Sequence, residues 1–168
     1  MVECSYNVGL CQLAALLHIS TGCSGLGIGV SATSFIRHDI SATIVEIDPA
    51  VYIAARTYFG LPDPGPENVF LEDARSWVNR RRADMITDVN VPLFDIVVHD
   101  CFSGGGVPEH IFTIEFWEDL KATMQTEGIV VVVSDSPHPK KLLSLIWLYL
   151  ELCRHHSFRV HQIDHEYA

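Results

Sequence analysis

The sequence predicts an α/β fold, a three-layer α/β/α domain in which helices cover both faces of a mostly parallel central sheet. Apolar runs rich in β-branched residues alternate along the chain with helical segments, a pattern typical of parallel sheets that are buried on both faces. A glycine-rich turn, Gly25–Gly29, precedes the apolar run that leads into Glu46. The 168 residues, 48% of them hydrophobic, are enough for one domain with a core and too few for two ordinary domains.

Continuous apolar runs predict the strands. They are Ala42–Ile47, Asn68–Leu71, Phe94–His99, Gly128–Val133 and a weaker run at Phe158–Ile163. The segment before the glycines is a poor strand candidate, because Ser20–Ser24 is small and polar. Either Leu16–Ile19 supplies the first strand, or this segment is not a regular element. Only His165–Ala168 follow the last run, so we expect a seven-stranded sheet of this class to lack its final strand.

Helices are predicted between these runs. The candidates are Ala32–His38, Ala50–Phe59, Ala74–Arg82, Thr113–Gln125 and Lys140–His155. Asp48 followed by Pro49 favours one helix start, and a Thr113 cap favours another. We therefore expect a helical or irregular lead-in over residues 1–23 and one domain over residues 24–168.

Composition and charge exclude several classes of protein. A net charge of −10 leaves no broad basic surface for nucleic acid. Five cysteines without CxxC spacing indicate a reducing, cytoplasmic compartment rather than a disulfide framework or zinc site. The nine histidines show no ligand spacing, so no metal is expected. The apolar run Leu142–Leu152 is too short to cross a bilayer, which takes about 20 residues, and we expect no membrane insertion.

The glycine turn and Glu46 predict a site for an adenosine-containing cofactor. Glu46 ends its strand 21 residues after Gly25, the layout of a nucleoside-binding half-sheet. Gly25, Gly27 and Gly29 let the backbone approach the ligand, and the carboxylate accepts hydrogen bonds from ribose hydroxyls. The alternative is a flexible turn that binds nothing. Asp48 is expected to point away from Glu46 and to cap the next helix.

Two further acids follow predicted strands. Asp73 is placed to accept a hydrogen bond from an adenine amino group while the N–H of Ala74 faces the ring; the alternative, compatible role is a helix N-cap. Asp100 precedes a glycine-rich loop and is placed to orient or deprotonate an attacking amine, or else to bind loop N–H groups. Cys101 has no paired base that would make it a nucleophile. His99 is expected to line the core or a pocket.

Several segments, in order, resemble the spermidine/spermine synthase-like family of polyamine aminopropyltransferases, whose Rossmann-like domain is shared with class I S-adenosylmethionine methyltransferases. The resemblance spans about residues 24–135 and is carried by Val45–Val51, Leu71–Arg75, Phe94–Asp100 and Gly105–His110 leading into Glu115–Leu120. It implies a Rossmann-like domain, truncated relative to the family. It also implies ribose binding by Glu46, adenine binding by Asp73 and amine deprotonation by Asp100.

The sequence departs from this family at two positions. Ile28 stands where active aminopropyltransferases usually carry an acid in the glycine loop, and Ser103 replaces the family's second aspartate. An acid at the first position disfavours a cofactor carboxylate by like-charge repulsion. Ile28 therefore removes discrimination against full S-adenosylmethionine, and Ser103 weakens binding of a diamine.

Three functions follow as hypotheses. The first is aminopropyl transfer in polyamine biosynthesis, from decarboxylated S-adenosylmethionine to an amine, with Asp100 as base. The alternatives are a class I S-adenosylmethionine-dependent methyltransferase and a non-catalytic, vestigial cofactor-binding domain. Under the enzyme hypotheses we expect a small-molecule amine as acceptor and no metal. A homodimer stays open beside a monomer.

Overall fold

The structure is a computed structural model that describes residues 20–88, 90–101, 108–134 and 159–164. Within these residues six strands form one sheet, in which every neighbouring pair is parallel. The strands are β1 (Ser20–Ser24), β2 (Ser41–Val45), β3 (Val69–Phe70), β4 (Phe94–His99), β5 (Met124–Ser134) and β6 (Arg159–Asp164). The helices are α1 (Val30–Arg37), α2 (Pro49–Tyr58), α3 (Ala74–Thr87) and α4 (Ile114–Ala122).

The strand order β3-β2-β1-β4-β5-β6 confirms the predicted Rossmann-like α/β fold. From β1 the chain passes first to β2 on one side, and later to β4 on the other side. The carboxyl ends of β1 and β4 therefore meet at the point where the direction of winding reverses. In open parallel sheets, ligands bind in the crevice outside the strands at this point.

The first strand corrects the sequence analysis, because Ser20–Ser24 itself forms β1 at the centre of the sheet. Its small side chains leave room for the neighbours: a β-carbon at Gly22 would already lie 3.6 Å from the ring of Phe94. Its hydroxyls find partners, and Thr21 Oγ1 donates to the carbonyl oxygen of Ser41 at 2.9 Å. The predicted domain start at residue 24 thus falls inside β1.

Two hydrophobic cores lie on opposite faces of the sheet. On one face, buried residues of α1 and α2 pack against β1, β2 and β4, including Phe35, Ala55, Ile44 and Val98. On the other face, α3 and α4 contribute Trp77, Val78, Phe116, Trp117 and Leu120, which pack around Phe94 and Val130. Both faces are therefore covered, as the continuous apolar runs predicted.

The prediction of one helix over Thr113–Gln125 is wrong at its end. Thr113 caps α4 as predicted, by accepting from the N–H of Phe116, but α4 ends at Ala122. Thr123 closes the helix: its N–H and its hydroxyl both donate to the carbonyl oxygen of Leu120, at 2.9 and 2.7 Å. The chain then enters β5 without a loop, so this boundary carries no glycine or proline signal.

Other predictions fall partly outside the described residues. The predicted helix Lys140–His155 and Ser103 lie there, as does Leu16–Ile19. The predicted strand at Phe158–Ile163 is present as β6. None of the helices that the structure describes has the length and hydropathy that crossing a bilayer requires.

Candidate functional site

The turn after β1 brings backbone to the carboxyl edge of the sheet. Gly25, Gly27 and Gly29 all have positive φ, at 79°, 53° and 81°. A β-carbon at Gly25 would lie 1.9 Å from the carbonyl oxygen of Asp100, so only glycine fits and the turn touches the end of β4. At Gly27 a β-carbon would meet nothing within 4 Å. The backbone at Gly27 is therefore open to an approaching ligand, whereas Gly25 serves the contact between strands.

Glu46 follows β2 and is only 7% exposed. Its Oε2 accepts from the N–H of Leu26 in the glycine turn at 2.8 Å, and its Oε1 accepts from the N–H of Asp48 at 2.9 Å. Because a carboxylate offers about four acceptor positions, two remain for the hydroxyls of a ligand. Asp48 caps α2 as predicted, through an N–H bond from Ala50 at 2.8 Å. The structure thus brings Glu46 against the glycine turn.

Asp73 caps α3 and also reaches across the edge of the site. Its Oδ1 accepts from the N–H and hydroxyl of Ser76 at 2.9 and 3.1 Å, and its Oδ2 lies 2.8 Å from Nε2 of His110. Partial burial alone would raise the pKa of Asp73, but the bonds from His110 and Ser76 outweigh it and hold this pKa below its usual value. Ala74 begins α3, and its side chain is buried in the core. The cap is observed, and adenine binding by Asp73 and Ala74 stays a prediction.

Asp100 lies at the end of β4, beside the glycine turn. Its N–H donates to the carbonyl oxygen of Ser24 at 2.8 Å, which extends the β1–β4 ladder by one residue. The residue is half-buried and lines a cavity of about 90 Å³. Ile28 and Ser31, from the turn and the first turn of α1, line the same cavity. A group held in this cavity would contact both Asp100 and the glycine turn.

The charges of the three predicted carboxylates all act on the thiol of Cys101. Burial raises the pKa of this thiol to about 12, and the negative charges of Asp100, Glu46 and Asp73 act in the same direction, against a hydrogen bond with Ser24. The thiol therefore stays protonated, which agrees with the prediction that Cys101 is no nucleophile. Charges from three different strand ends act on one sulfur, so these acids share one region of the molecule.

Two contacts in this region involve residues that the sequence analysis did not assign to the site. His110, 37 residues from Asp73, has no local sequence signal. Ser24 Oγ lies 2.7 Å from Nδ1 of His99, which is completely buried. A polar residue at the end of an apolar strand is the one signal that could have marked His99.

The open glycine backbone and the unused acceptor positions of Glu46 are of the kind that a nucleoside ligand uses. Glu46 binds the N–H of Leu26 next to the open backbone at Gly27, and Asp100 lines the adjoining cavity. Among the residues described, no group of three or more histidine, cysteine or acidic side chains is arranged to hold a metal ion.

Comparisons with known proteins point to the same type of domain. The N-terminal histidine N-methyltransferase of Emericella nidulans is 40% identical over 111 residues, which are 64% of this chain and 18% of that protein. The polyamine aminopropyltransferase of Vibrio vulnificus is 31% identical over 109 residues, 64% of this chain and 34% of that protein. The chain thus spans about a fifth and a third of the lengths of these two relatives.

Solved structures share the fold at low sequence identity. Human methyltransferase-like protein 13 in complex with SAH aligns with a TM-score of 0.62 and 20% identity, covering 80% of this chain and 64% of that one. Spermidine synthase from Thermotoga maritima aligns with a TM-score of 0.59 and 19% identity, covering 88% and 50%. Residues 25–159 match the spermine/spermidine synthase domain family. The chain therefore belongs to the spermine/spermidine synthase domain family.

Proposed function

We propose that this domain binds S-adenosylmethionine and transfers a group from it to an amine nitrogen, with Asp100 as the base. The observation that carries the proposal is the contact between Gly25 and Asp100. It brings the backbone of Asp100 against the turn, and the same residue lines the cavity of about 90 Å³ at the switch point of the sheet. Methyl transfer is the first candidate, and aminopropyl transfer is the second.

Two acids, which follow β2 and β3, are proposed to hold the donor. Glu46 would accept from the ribose hydroxyls with the acceptor positions that Leu26 and Asp48 leave open. Asp73 would accept from the adenine amino group through Oδ2, whose present neighbour is His110. The family membership of residues 25–159 and the SAH complex of a solved structure with this fold support this choice of ligand. When bound, the donor supplies a sulfonium, whose attached carbon is electrophilic and whose sulfur leaves as a neutral thioether.

Asp100 would manage the proton of the incoming amine. Its carboxylate can orient the amine and remove a proton, so that the nitrogen lone pair forms the new N–C bond. The electron pair of the broken C–S bond goes to sulfur, and the proton ends on Asp100 before it passes to solvent. Because the leaving group needs no protonation, we expect positioning and this single proton transfer to account for most of the catalysis.

Ile28 is the observation that favours methyl transfer. It lines the cavity where aminopropyltransferases usually carry an acid, and its side chain is 53% exposed. No side chain caps the first turn of the adjacent helix α1. An uncapped helix N-terminus favours a carboxylate, and full S-adenosylmethionine has one whereas its decarboxylated form does not. The more similar of the two relatives is also a methyltransferase by name.

A transfer assay with both donors tests the proposal. We would offer methyl-labelled S-adenosylmethionine and aminopropyl-labelled decarboxylated donor to a peptide with N-terminal histidine and to putrescine. These acceptors are taken from the activities that the two relatives are named for. Label transferred from the first donor supports methyl transfer, and label from the second supports the aminopropyl alternative. No transfer from either donor, together with no calorimetric binding of S-adenosylhomocysteine (SAH), would refute the proposal.

The Asp100→Asn variant tests whether Asp100 is the base. We expect turnover to fall by about 10²- to 10⁴-fold, the usual contribution of a positioned base, while SAH affinity changes by no more than about twofold. The matched control is Asp95→Asn, the same substitution on the same strand. Asp95 instead accepts from the N–H of Ser20 at 2.9 Å, away from the carboxyl end of β4, so turnover should be retained.

A further inference from the structure

One buried polar pair next to the site has no part in the proposed chemistry. His99 is the last residue of β4, and it is the direct cross-strand neighbour of Ser24, the last residue of β1. Its side chain is completely buried, and Nδ1 lies 2.7 Å from Ser24 Oγ. Since a hydroxyl both donates and accepts, this bond can form whichever ring nitrogen carries the proton.

The other ring nitrogen has no such partner. Nε2 of His99 is buried without a hydrogen-bond partner among the residues that the structure describes. The ring packs among Phe112, Phe116 and Trp117, with centroid separations of 5.1, 5.3 and 5.1 Å. Burial in these surroundings lowers the pKa of His99 to about 3, so the imidazole is neutral.

An apolar residue would suit this aromatic environment better than histidine. Leaving a buried polar atom unpaired costs about 1–3 kcal/mol, and leucine would fill the space without an unpaired ring nitrogen, although it would also remove the bond to Ser24. A local choice that lowers stability is expected chiefly at functional sites. What histidine adds at this position is the hydrogen bond to Ser24, so any functional role of His99 acts through that bond.

His99 cannot touch a ligand in the cavity. Asp100 lines the cavity together with Val98 and Cys23, on the face of the sheet that α1 covers. His99, between Val98 and Asp100 in the strand, packs on the opposite face, against α4. Any effect on the reaction must therefore pass through the backbone and through Ser24.

The backbone around this pair is tightly connected. Ser24 is connected to the end of β4 and the residues after it through three contacts: its hydroxyl contacts His99 and the thiol of Cys101, and its carbonyl oxygen accepts from the N–H of Asp100 at 2.8 Å. The next residue, Gly25, abuts the carbonyl oxygen of Asp100 and is itself held by an N–H bond to Val45 at 3.0 Å. The side-chain bond between Ser24 and His99 thus holds the ends of β1 and β4 together, next to Asp100 and the glycine turn. We call this bond the brace.

We propose that His99 is a positioning residue that, through Ser24, holds Asp100 in register with the glycine turn for proton removal. This inference rests on the proposed function, because it concerns the base of that reaction. A misplacement of about 1 Å at a reacting group can cost on the order of 10²-fold in rate. A brace that prevents such slippage would act on turnover rather than on donor binding, since Glu46 and Asp73 lie on other strand ends.

Two substitutions at His99 separate positioning from a structural role. His99→Leu removes the bond to Ser24 but satisfies the aromatic surroundings. His99→Asn retains a polar group near the position of Nδ1 but fills the space poorly. Positioning predicts that His99→Leu loses about 10²-fold in kcat whatever its change in Tm, with KM for the donor changed by no more than about twofold. It also predicts that His99→Asn retains most of kcat despite a lower Tm.

The matched control is Val97→Ala, on the same strand and in the core that α3 and α4 form. It should lower Tm and leave kcat unchanged. If kcat instead followed Tm across the three variants, or if His99→Leu retained full kcat, His99 would be a packing residue only and the inference would be overturned.

Amide hydrogen exchange distinguishes failure of this inference from failure of the proposed function. If the brace exists, exchange at Asp100 should accelerate in His99→Leu and Ser24→Ala relative to the control amide of Val130 in β5, with no ligand present. Unchanged exchange at Asp100 would overturn the inference even where wild-type protein turns over. Faster exchange in a protein that neither binds SAH nor transfers a label would support the brace and overturn the proposed function.

Discussion

Glu46→Gln is the substitution that tests the proposed donor site most directly. Glu46 is 7% exposed, and its carboxylate accepts two backbone N–H bonds, from Leu26 at 2.8 Å and from Asp48 at 2.9 Å. Glutamine keeps the shape but offers one oxygen and an NH₂ group. One of the two backbone N–H groups would therefore face the NH₂ group, which is itself a hydrogen-bond donor. No negative charge would remain for a ligand hydroxyl.

The magnitudes for stability and for binding can be worked out separately. A hydrogen bond to a charged group contributes about 1.5–3 kcal/mol, and a change of 1 kcal/mol shifts Tm by roughly 2–4 °C in a chain of this size. We therefore expect Tm to fall by roughly 3–12 °C. Loss of one charge-assisted bond to ribose would weaken SAH binding by about 10- to 150-fold, since 1.4 kcal/mol corresponds to a factor of ten.

Calorimetry at 15 °C, well below the expected Tm of the variant, would measure binding to folded protein. Comparing methylthioadenosine with its 2′,3′-dideoxy analogue isolates the ribose contact: wild-type protein should discriminate strongly, and Glu46→Gln should not. Asp48→Asn is the matched control, because this carboxylate only caps α2 and asparagine caps about as well. If Glu46→Gln bound SAH as tightly as wild type, or still discriminated between the two nucleosides, the assignment of Glu46 to ribose would be refuted.

Three other predictions follow from the site geometry. Gly27→Ala should lower the free energy of unfolding, measured by urea denaturation, by about 1–2 kcal/mol, because alanine is strained in the left-handed conformation. Gly25→Ala should lower it clearly more and abolish SAH binding, since its β-carbon would lie 1.9 Å from the carbonyl oxygen of Asp100. Equal costs would contradict the contact between Gly25 and Asp100. Because the pKa of Asp73 is lowered on folding, its stabilising effect should be complete above the unfolded pKa of about 3.9 and lost as pH falls through the folded value. The free energies of unfolding of wild type and Asp73→Asn should then converge in strong acid. A difference that stayed undiminished there would rule out the charge effect. Because the pKa of His99 falls from 6.5 to about 3 on folding, this residue should cost wild type about 1.4 kcal/mol per pH unit between these two values, and His99→Leu should remove that part of the acid destabilisation.

The sequence predicted most of the sheet because its strands are buried on both faces. Such strands read as continuous apolar runs, and the runs at Phe94–His99 and Ala42–Ile47 match β4 and β2 to within two residues at each end. β1 was missed for the same reason, since its small polar residues make no apolar run. Its strand character comes from its position between β2 and β4, where neighbouring side chains fill the space that Gly22 leaves.

The candidate site was predicted to the extent that strand ends mark it. Asp100 and Asp73 each follow a predicted strand, Glu46 stands at the end of another, and parallel strands bring their carboxyl ends to one edge. That rule predicts a common edge and does not predict which side chains touch. The contact of Asp73 with His110 and that of Ser24 with His99 join residues 37 and 75 positions apart. Such pairs depend on strand order and register, which no local pattern encodes.

The sequence by itself determined the fold class, the glycine turn and the acids that follow three strands, because these are local patterns of hydropathy, backbone freedom and charge. Only the tertiary structure decided the different roles of Gly25 and Gly27, since both are glycines with positive φ and only one lies against Asp100. It also decided that Glu46 is fixed by the turn it faces and that His99 connects the ends of β1 and β4. These features depend on which strands are neighbours, a property of the sheet as a whole.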